Sequence, residues 1–346
     1  MSGAVSDRDD AVSPRVSILL PCRDAAPYLP DTIASIQAQT FQDIEIVAVD
    51  DGSTDETVEL LRAWAAADPR VRVLTQPPLG IVAALRRAAE AARGEILVRM
   101  DADDVAYSQR IERQVELLDA RPDIGACGTL VRYFPRQHVQ GGAQRYEAWI
   151  NTLIEHDEIA RDIFVECPIA HPTLAIRRSA LEQVGGYIDN AWPEDYDLVF
   201  RMWDAGVRMA KVPEVLLRWR ERPGRASRTQ VRYGDDAFRR CKVHYLRQTM
   251  LNGHDGVVVW GAGPVGKAFA LELQRQDVRV RAFVELDPRK IGQKIHGAPV
   301  IAPEAVQEFA GALVVAAVGQ PNGRSEIRSV LDAAGFVEGR DFVAVA

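Results

Sequence analysis

The sequence predicts an α/β protein in two units: a larger one with a mostly parallel sheet flanked by helices, then a smaller α/β one. Three observations carry this. Short apolar runs alternate with amphipathic stretches of helical period from residue 16 to residue 120, as strands buried on both faces and their crossover helices do. The alternation restarts near residue 255 around a glycine-rich turn, GAGPVG. A length of 346 residues suits two domains at about 100–200 residues each.

Taken in order, residues 1–14 read as a flexible tail. The first unit, 15–235, opens on the strand VSILL (16–20), followed by a helix over 29–39. IEIVAVD (44–50) ends a second strand at Asp50 and leads into a helix over 56–67. VRVLT (71–75), a helix over 81–92, EILVRM (95–100) and a helix over 108–120 complete the regular part. The pattern loosens from 128 to 192, where PRQHVQGGAQR (135–145) has the polar, glycine-containing composition of an exposed loop. Residues 236–254 read as a helical connector, and 255–346 as the second unit, with VVVW, VRVRAFVEL, LVVAAVG and FVAVA as strands.

Composition narrows the function classes. Forty-nine acidic against 42 basic residues give a net charge of −7, which does not draw a nucleic-acid backbone from a distance. Nucleic acid is therefore not an expected partner. No 18-residue apolar run occurs, and the polar, acidic N-terminus lacks the features of a signal peptide. The expectation is a cytoplasmic protein. Four scattered cysteines without a CxxC pair read as reduced thiols. The connector sets Arg239, Arg240, Lys242 and Arg247 beside Phe238, Tyr245 and Leu246, a mixture that suits peripheral contact with the inner face of a membrane. A solvated linker face is the alternative reading.

Three acidic clusters stand out: Asp50-Asp51-Gly-Ser53-Thr-Asp55 after one strand, Asp101-Ala-Asp103-Asp104 after another, and Glu194-Asp195-Tyr-Asp197 at a helix start. Ligands of open parallel sheets bind beyond the carboxyl ends of strands, where the first two lie. Capping of helix N-termini accounts for single members such as Asp55 or Asp104. It does not account for adjacent like charges, which repel unless a cation or donors offset them. Asp101 and Asp103 can aim two hard oxygen ligands at one point, an arrangement suited to Mg²⁺ or Mn²⁺ shared with substrate phosphates.

The run VSILLPCRDAAPYLPDTIASIQAQTFQDIEIVAVDDGSTDET, then RMDADD, HPTLAIRRSALEQVGGY and PEDYDL, resembles the inverting family 2 glycosyltransferases of GT-A fold. RMDADD is similar to their DxD motif and PEDYDL to their ED motif, and the likeness extends over about 16–228. The resemblance implies a nucleotide-sugar donor, a glycan or glycolipid acceptor, and work on capsule, lipopolysaccharide or another surface glycan. It implies donor contacts at Pro21, Asp50, Asp51 and Ser53, a metal on Asp103 with Asp101 facing the metal or the ribose, and Asp195 as general base with Glu194 as the fallback. Arg99, beside the DxD, reads equally as a donor-phosphate contact or as the partner of a neighbouring carboxylate. Many relatives carry a histidine where WRERPGRAS has Arg222; a guanidinium cannot ligate a metal but can bind diphosphate oxygens.

In the second unit Gly261, Gly263 and Gly266 lie between a strand and a helix, and Glu285 ends the next strand. This is the placement of a dinucleotide fold's phosphate turn and ribose acid, although the length leaves room for one mononucleotide-binding half plus extra strands. The run FVELDPRKIGQKIHGAPVI resembles the small nucleotide-sugar-binding domain that precedes bacterial sugar O-acyltransferases. The expectation is a Rossmann-like module that holds a nucleotide or nucleotide-sugar, or that docks and joins copies of the chain as a homo-oligomer. An NAD(P)-linked oxidoreductase centred on GAGPVG and a non-catalytic scaffold are the rival functions.

Overall fold

A computed structural model describes residues 13–222, 224–320 and 322–346; most of the tail expected at 1–14 lies outside them. The chain forms two compact units, 1–132 with 171–186 and 214–220, and 133–170 with 187–213 and 221–346. These interleave along the chain, whereas the sequence reading divides it end to end.

The strands of the first sheet are β1 (Val16–Cys22), β2 (Ile44–Asp50), β3 (Val71–Thr75), β4 (Ile96–Arg99), β5 (Val105–Ala106), β6 (Ile124–Phe134), β7 (Ala175–Arg177) and β8 (Arg208–Arg220). Their order is β3-β2-β1-β4-β7-β6-β8-β5. β1 to β4 pair parallel, while β7 runs antiparallel to both β4 and β6. Every residue of β2 and β4 is buried, which is why these strands read as unbroken apolar runs. Helices Leu29–Gln37, Thr57–Ala67, Ile81–Ala91 and Arg110–Ala120 follow in the predicted places. Register sets Cys22 beside Asp50, so the carboxyl ends of β1 and β2 finish level.

The second unit holds β9 (Val257–Trp260), β10 (Val280–Val284), β11 (Lys294–Ile295), β12 (Ala298–Ile301), β13 (Leu313–Ala316) and β14 (Phe342–Ala344). The sheet order is β11-β12-β10-β9-β13-β14, parallel except for β11. Its core also takes Val165, with Trp149 packed against it. The Asp162 carboxylate accepts from Trp149 Nε1 (3.1 Å), Arg161 (3.0 Å) and Arg328 (2.5 Å), with Arg324 at 3.4 Å. Segment 133–170 thus belongs to this unit through both apolar packing and ion pairs.

Two local expectations are corrected. The loop expected at 135–145 is a short 3₁₀ turn, Arg136–His138, followed by the helix Gly141–Ile150. Glu147 holds it by accepting from Tyr133 N–H (2.6 Å) and Arg136 (2.8 Å), contacts that local composition does not reveal. The connector is the helix Asp235–Thr249, which buries Cys241, Lys242, Val243, Tyr245 and Leu246. Lys242 Nζ donates to the carbonyls of Val165 (2.7 Å) and Val345 (3.0 Å). Its apolar face and this lysine are therefore buried inside the unit, while Asp235, Asp236 and Arg247 stay exposed and Arg239 and Arg240 half-buried. Among the described residues no helix is long and apolar enough to cross a membrane.

Candidate functional site

At the carboxyl ends of β1 and β2 two loops are stitched together. Asp24, at φ +45°, accepts from Thr54 N–H (2.8 Å), and its own N–H donates to Ser53 Oγ (3.0 Å). Ala26 N–H donates to Asp55 (3.0 Å), which also accepts from Thr57 Oγ1. Ser53 therefore anchors the loop that follows Pro21. Asp50 is buried and faces Ser53 N–H at 3.3 Å.

Asp51, only 3% exposed, is occupied by a third loop. Its Oδ1 accepts from Gln76 Nε2 (2.8 Å) and Leu79 N–H (2.8 Å), its Oδ2 from Gly80 N–H (2.9 Å), and Arg23 stands at 3.5 Å. Gly52 lets this loop close: at φ +71°, an added Cβ would meet Pro78 at 2.8 Å. The geometry makes Asp51 the anchor of 76–80. Asp51→Ala should destabilise the protein by about 3 kcal/mol, because buried donors left without an acceptor cost about 1–3 kcal/mol each. Urea unfolding reads this, and an unchanged midpoint would dismiss the anchor.

The second cluster follows β4. One carboxylate oxygen from each of Asp101, Asp103 and Asp104 lies within 4.8 Å of the others. Asp104 is buried, and its Oδ1 accepts Arg220 N–H at 2.7 Å. Arg220 Nε donates to the Asp103 carbonyl (2.5 Å) and Nη2 to Asp31 (2.7 Å), so one side chain sets the shape of the turn. Arg220 was not among the expected site residues; the run RWR (218–220) that ends β8 carries no signal that sets it apart from Arg218. Arg99 is buried and pairs with Asp101 at 2.5 Å. Burial first, and then the carboxylates of Asp50, Asp101 and Asp103, push the Cys22 thiol well up from its ordinary value. Burial brings the Arg110 guanidinium down to about 10, against the pull of Asp104. Partly exposed hard oxygens from Asp101 and Asp103, backed by a buried third, fit a divalent cation that keeps open positions for another ligand.

The second unit carries its own acids on the helix Glu194–Asp204. Glu194 is buried, and both its oxygens accept from Tyr233 Oη, at 2.9 and 2.8 Å, with Arg232 at 3.6 Å. Asp195 is half-buried and accepts Tyr196 N–H at 2.8 Å. Asp197, fully buried, accepts from Asn190, Trp192 Nε1, Tyr245 Oη and Arg201 within 2.7–2.9 Å. Trp192 is committed to that network and to the His244 ring, 5.0 Å away. Burial, with the Asp195 charge among the lesser causes, raises Tyr146, Cys167 and Tyr233 well above their ordinary values. Arg222 is half-buried and follows Glu221, which pairs with Arg228 at 2.7 Å. In the same unit Gly261, Gly263 and Glu285 line a cleft of about 440 Å³, whereas Gly266 packs its Cα against the turn.

Residues 17–185 match the family model Glycosyl transferase family 2. An uncharacterized glycosyltransferase of Haemophilus influenzae is 28% identical over 60% of this chain and 65% of its own length. TarS 1–349 of S. aureus in complex with UDP-GlcNAc superposes with a TM-score of 0.55 at 16% identity, over 67% of this chain and 66% of that one. The chain thus spans just under two thirds of these two relatives. A mannosyltransferase of Pyrobaculum calidifontis, PcManGT, in complex with GDP-Man and Mn²⁺, gives a TM-score of 0.51 at 21% identity, over 94% of this chain and 76% of that one. Sheet, strand-end acids and matched segment agree: residues 17–185 are a glycosyltransferase family 2 segment, and the fold is that of the GT-A glycosyltransferases.

Proposed function

We propose that this protein moves a sugar from a nucleotide-diphosphate sugar to an acceptor hydroxyl, with inversion at the anomeric carbon and with Mn²⁺ or Mg²⁺. The observation that carries the reading is the convergence of Asp101, Asp103 and Asp104 at the end of β4, within the segment that matches the family. Asp103 and Asp101 would hold the cation. When bound, it offsets the charge that grows on the departing diphosphate. Asp50, together with the loops set by Pro21 and Ser53, faces the base and ribose of the donor, while Asp51 acts through loop 76–80. Asp195 takes the acceptor proton as the acceptor oxygen bonds the anomeric carbon and the bond to the diphosphate breaks. Glu194 positions rather than reacts, because it is buried and its carboxylate is held by the Tyr233 hydroxyl, with Arg232 at 3.6 Å. Arg222 binds diphosphate oxygens. The acceptor is a glycan or glycolipid of the bacterial surface.

A thermal-shift screen of UDP-, dTDP- and GDP-sugars with and without Mn²⁺ tests this. One nucleotide class should raise the melting temperature in a Mn²⁺-dependent way, by about 2.7 kcal/mol of stabilisation at a hundredfold excess over Kd. Stabilisation by NAD(P) alone, unaffected by Mn²⁺, would point to the oxidoreductase instead. Arg222→Ala with unchanged donor affinity would remove that residue from the diphosphate site.

A further inference from the structure

We propose that the carboxyl ends of β9, β10 and β13 form a second ligand site, one that takes a nucleoside mono- or diphosphate. This does not rest on the transferase reading, since it concerns only residues 257–330.

Topology points to the place. From β9 the chain builds outward through β10 to β12, then returns to the other side of β9 to lay down β13 and β14. The strand order reverses between β9 and β13, and crevices that admit ligands open at such switch points. A cleft of about 440 Å³ lies there, lined among others by Trp260, Gly263, Glu285, Lys290, Gly319 and Glu326. Its volume is that of a small-molecule site.

The three glycines of the turn have different reasons to be glycine. Gly261 has φ +120°, and an added Cβ would lie 2.8 Å from Val318 and 2.9 Å from the Ala317 carbonyl oxygen. An added Cβ at Gly266 would lie 1.9 Å from the Gly261 carbonyl oxygen. Both are required by the protein's own packing. Gly263 is not: its φ of −85° and ψ of −175° suit any residue, and a Cβ there would meet nothing within 4 Å. It is the N-cap of the helix Pro264–Arg275, which has no side-chain cap and no acidic residue in its first turn. Ser, Asp or Asn would fit and stabilise the helix. A bare position instead leaves the first-turn N–H groups open toward the cleft, as phosphate oxygens require.

Across the cleft, Glu285 is held in one orientation. Its Oε1 accepts from Leu286 N–H (2.9 Å), and its Oε2 accepts from Lys290 Nζ (2.8 Å). These partners hold its carboxyl below the usual range although burial works the other way. An ionised carboxylate at the end of the second strand accepts from the vicinal hydroxyls of a ribose. Leu286, 71% exposed at the rim, offers apolar contact to a base. Among the described residues β9, β10 and β12 lie side by side in parallel with a crossover helix only between β9 and β10, and β13 and β14 add two strands on the far side of β9. This falls short of the two βαβαβ halves that a dinucleotide takes, and one nucleotide is the ligand it accommodates.

Calorimetric titration of the full chain with ADP, UDP, NAD⁺ and inorganic diphosphate, in EDTA to silence any cation-dependent site, tests the proposal. ADP or UDP should bind more tightly than about 1 mM. Gly263→Asp places a carboxylate where the phosphate would sit, and it should weaken that binding at least tenfold while leaving the melting temperature unchanged or higher. Glu285→Gln should weaken the nucleotide but not inorganic diphosphate. Absence of binding by any probe, binding that Gly263→Asp leaves intact, or NAD⁺ binding more tightly than either mononucleotide would overturn the assignment. Equal loss of nucleotide and diphosphate in Glu285→Gln would overturn the ribose contact. Mn²⁺-dependent donor binding measured on Gly263→Asp should match the parent, so a failed transferase reading and a failed second site give different results.

Discussion

Asp103→Ala is expected to lower sugar transfer about a thousandfold, the scale on which removing one electrostatic stabiliser of developing charge acts. Asp103, like Asp101, is partly exposed, whereas Asp104 is 1% exposed and committed to Arg220 N–H. The two should therefore fail differently. Asp103→Ala should fold normally, lose Mn²⁺-dependent stabilisation by donor, and keep its unfolding midpoint. Asp104→Ala should lower the midpoint, because it strips a buried acceptor from the turn. Turnover measured across a Mn²⁺ titration, beside urea unfolding of both variants, separates ligation from scaffolding. Full activity of Asp103→Ala at saturating donor would dismiss the metal assignment.

Asp195→Asn is expected to cost about 10²–10⁴ in turnover, the contribution of a positioned general base, with donor affinity preserved. An amide keeps the shape and can still accept Tyr196 N–H, but it cannot take a proton. Glu194→Gln supplies the contrast: Tyr233 Oη binds both Glu194 oxygens, so the amide retains an acceptor there and the loss should stay below about tenfold. Single-turnover rates beside donor titration decide between the two acids. If Glu194→Gln lost as much as Asp195→Asn, the base would be Glu194.

How far these residues were legible follows from where their partners lie. β2 was readable to its last residue because its buried run ends at Asp50, where the chain turns polar. The DxD turn was readable as a group of carboxylates at a strand end, and one oxygen of each of its three acids lies within 4.8 Å of the others. The role of Asp51 was not, because its donors come from residues 76–80 across a loop closure. Glu194 and Asp195 look alike in sequence; a tyrosine 39 residues on separates them. The packing of the helix Asp235–Thr249 was hidden for the same reason. Its basic and apolar residues suit a lipid surface, yet the carbonyls that receive Lys242 lie at 165 and 345. Local pattern fixes elements and strand ends, while long-range hydrogen bonds decide what each side chain does.

The Asp162 network bears on how such a protein can be cut or recombined. Its guanidinium partners Arg324 and Arg328 come from the last helix, and Val165 and Trp149 pack on the last sheet. Ending the chain near residue 250 would remove both cations and bare both apolar side chains, leaving a buried carboxylate with only its near neighbours. Such a fragment invites aggregation or proteolysis even if its family-matched segment is intact. A recombinant hybrid would keep its solubility only if 133–170 travelled with the C-terminal sheet, so the natural seam for exchange is not a single point along the gene but a pair of surfaces that must be inherited together.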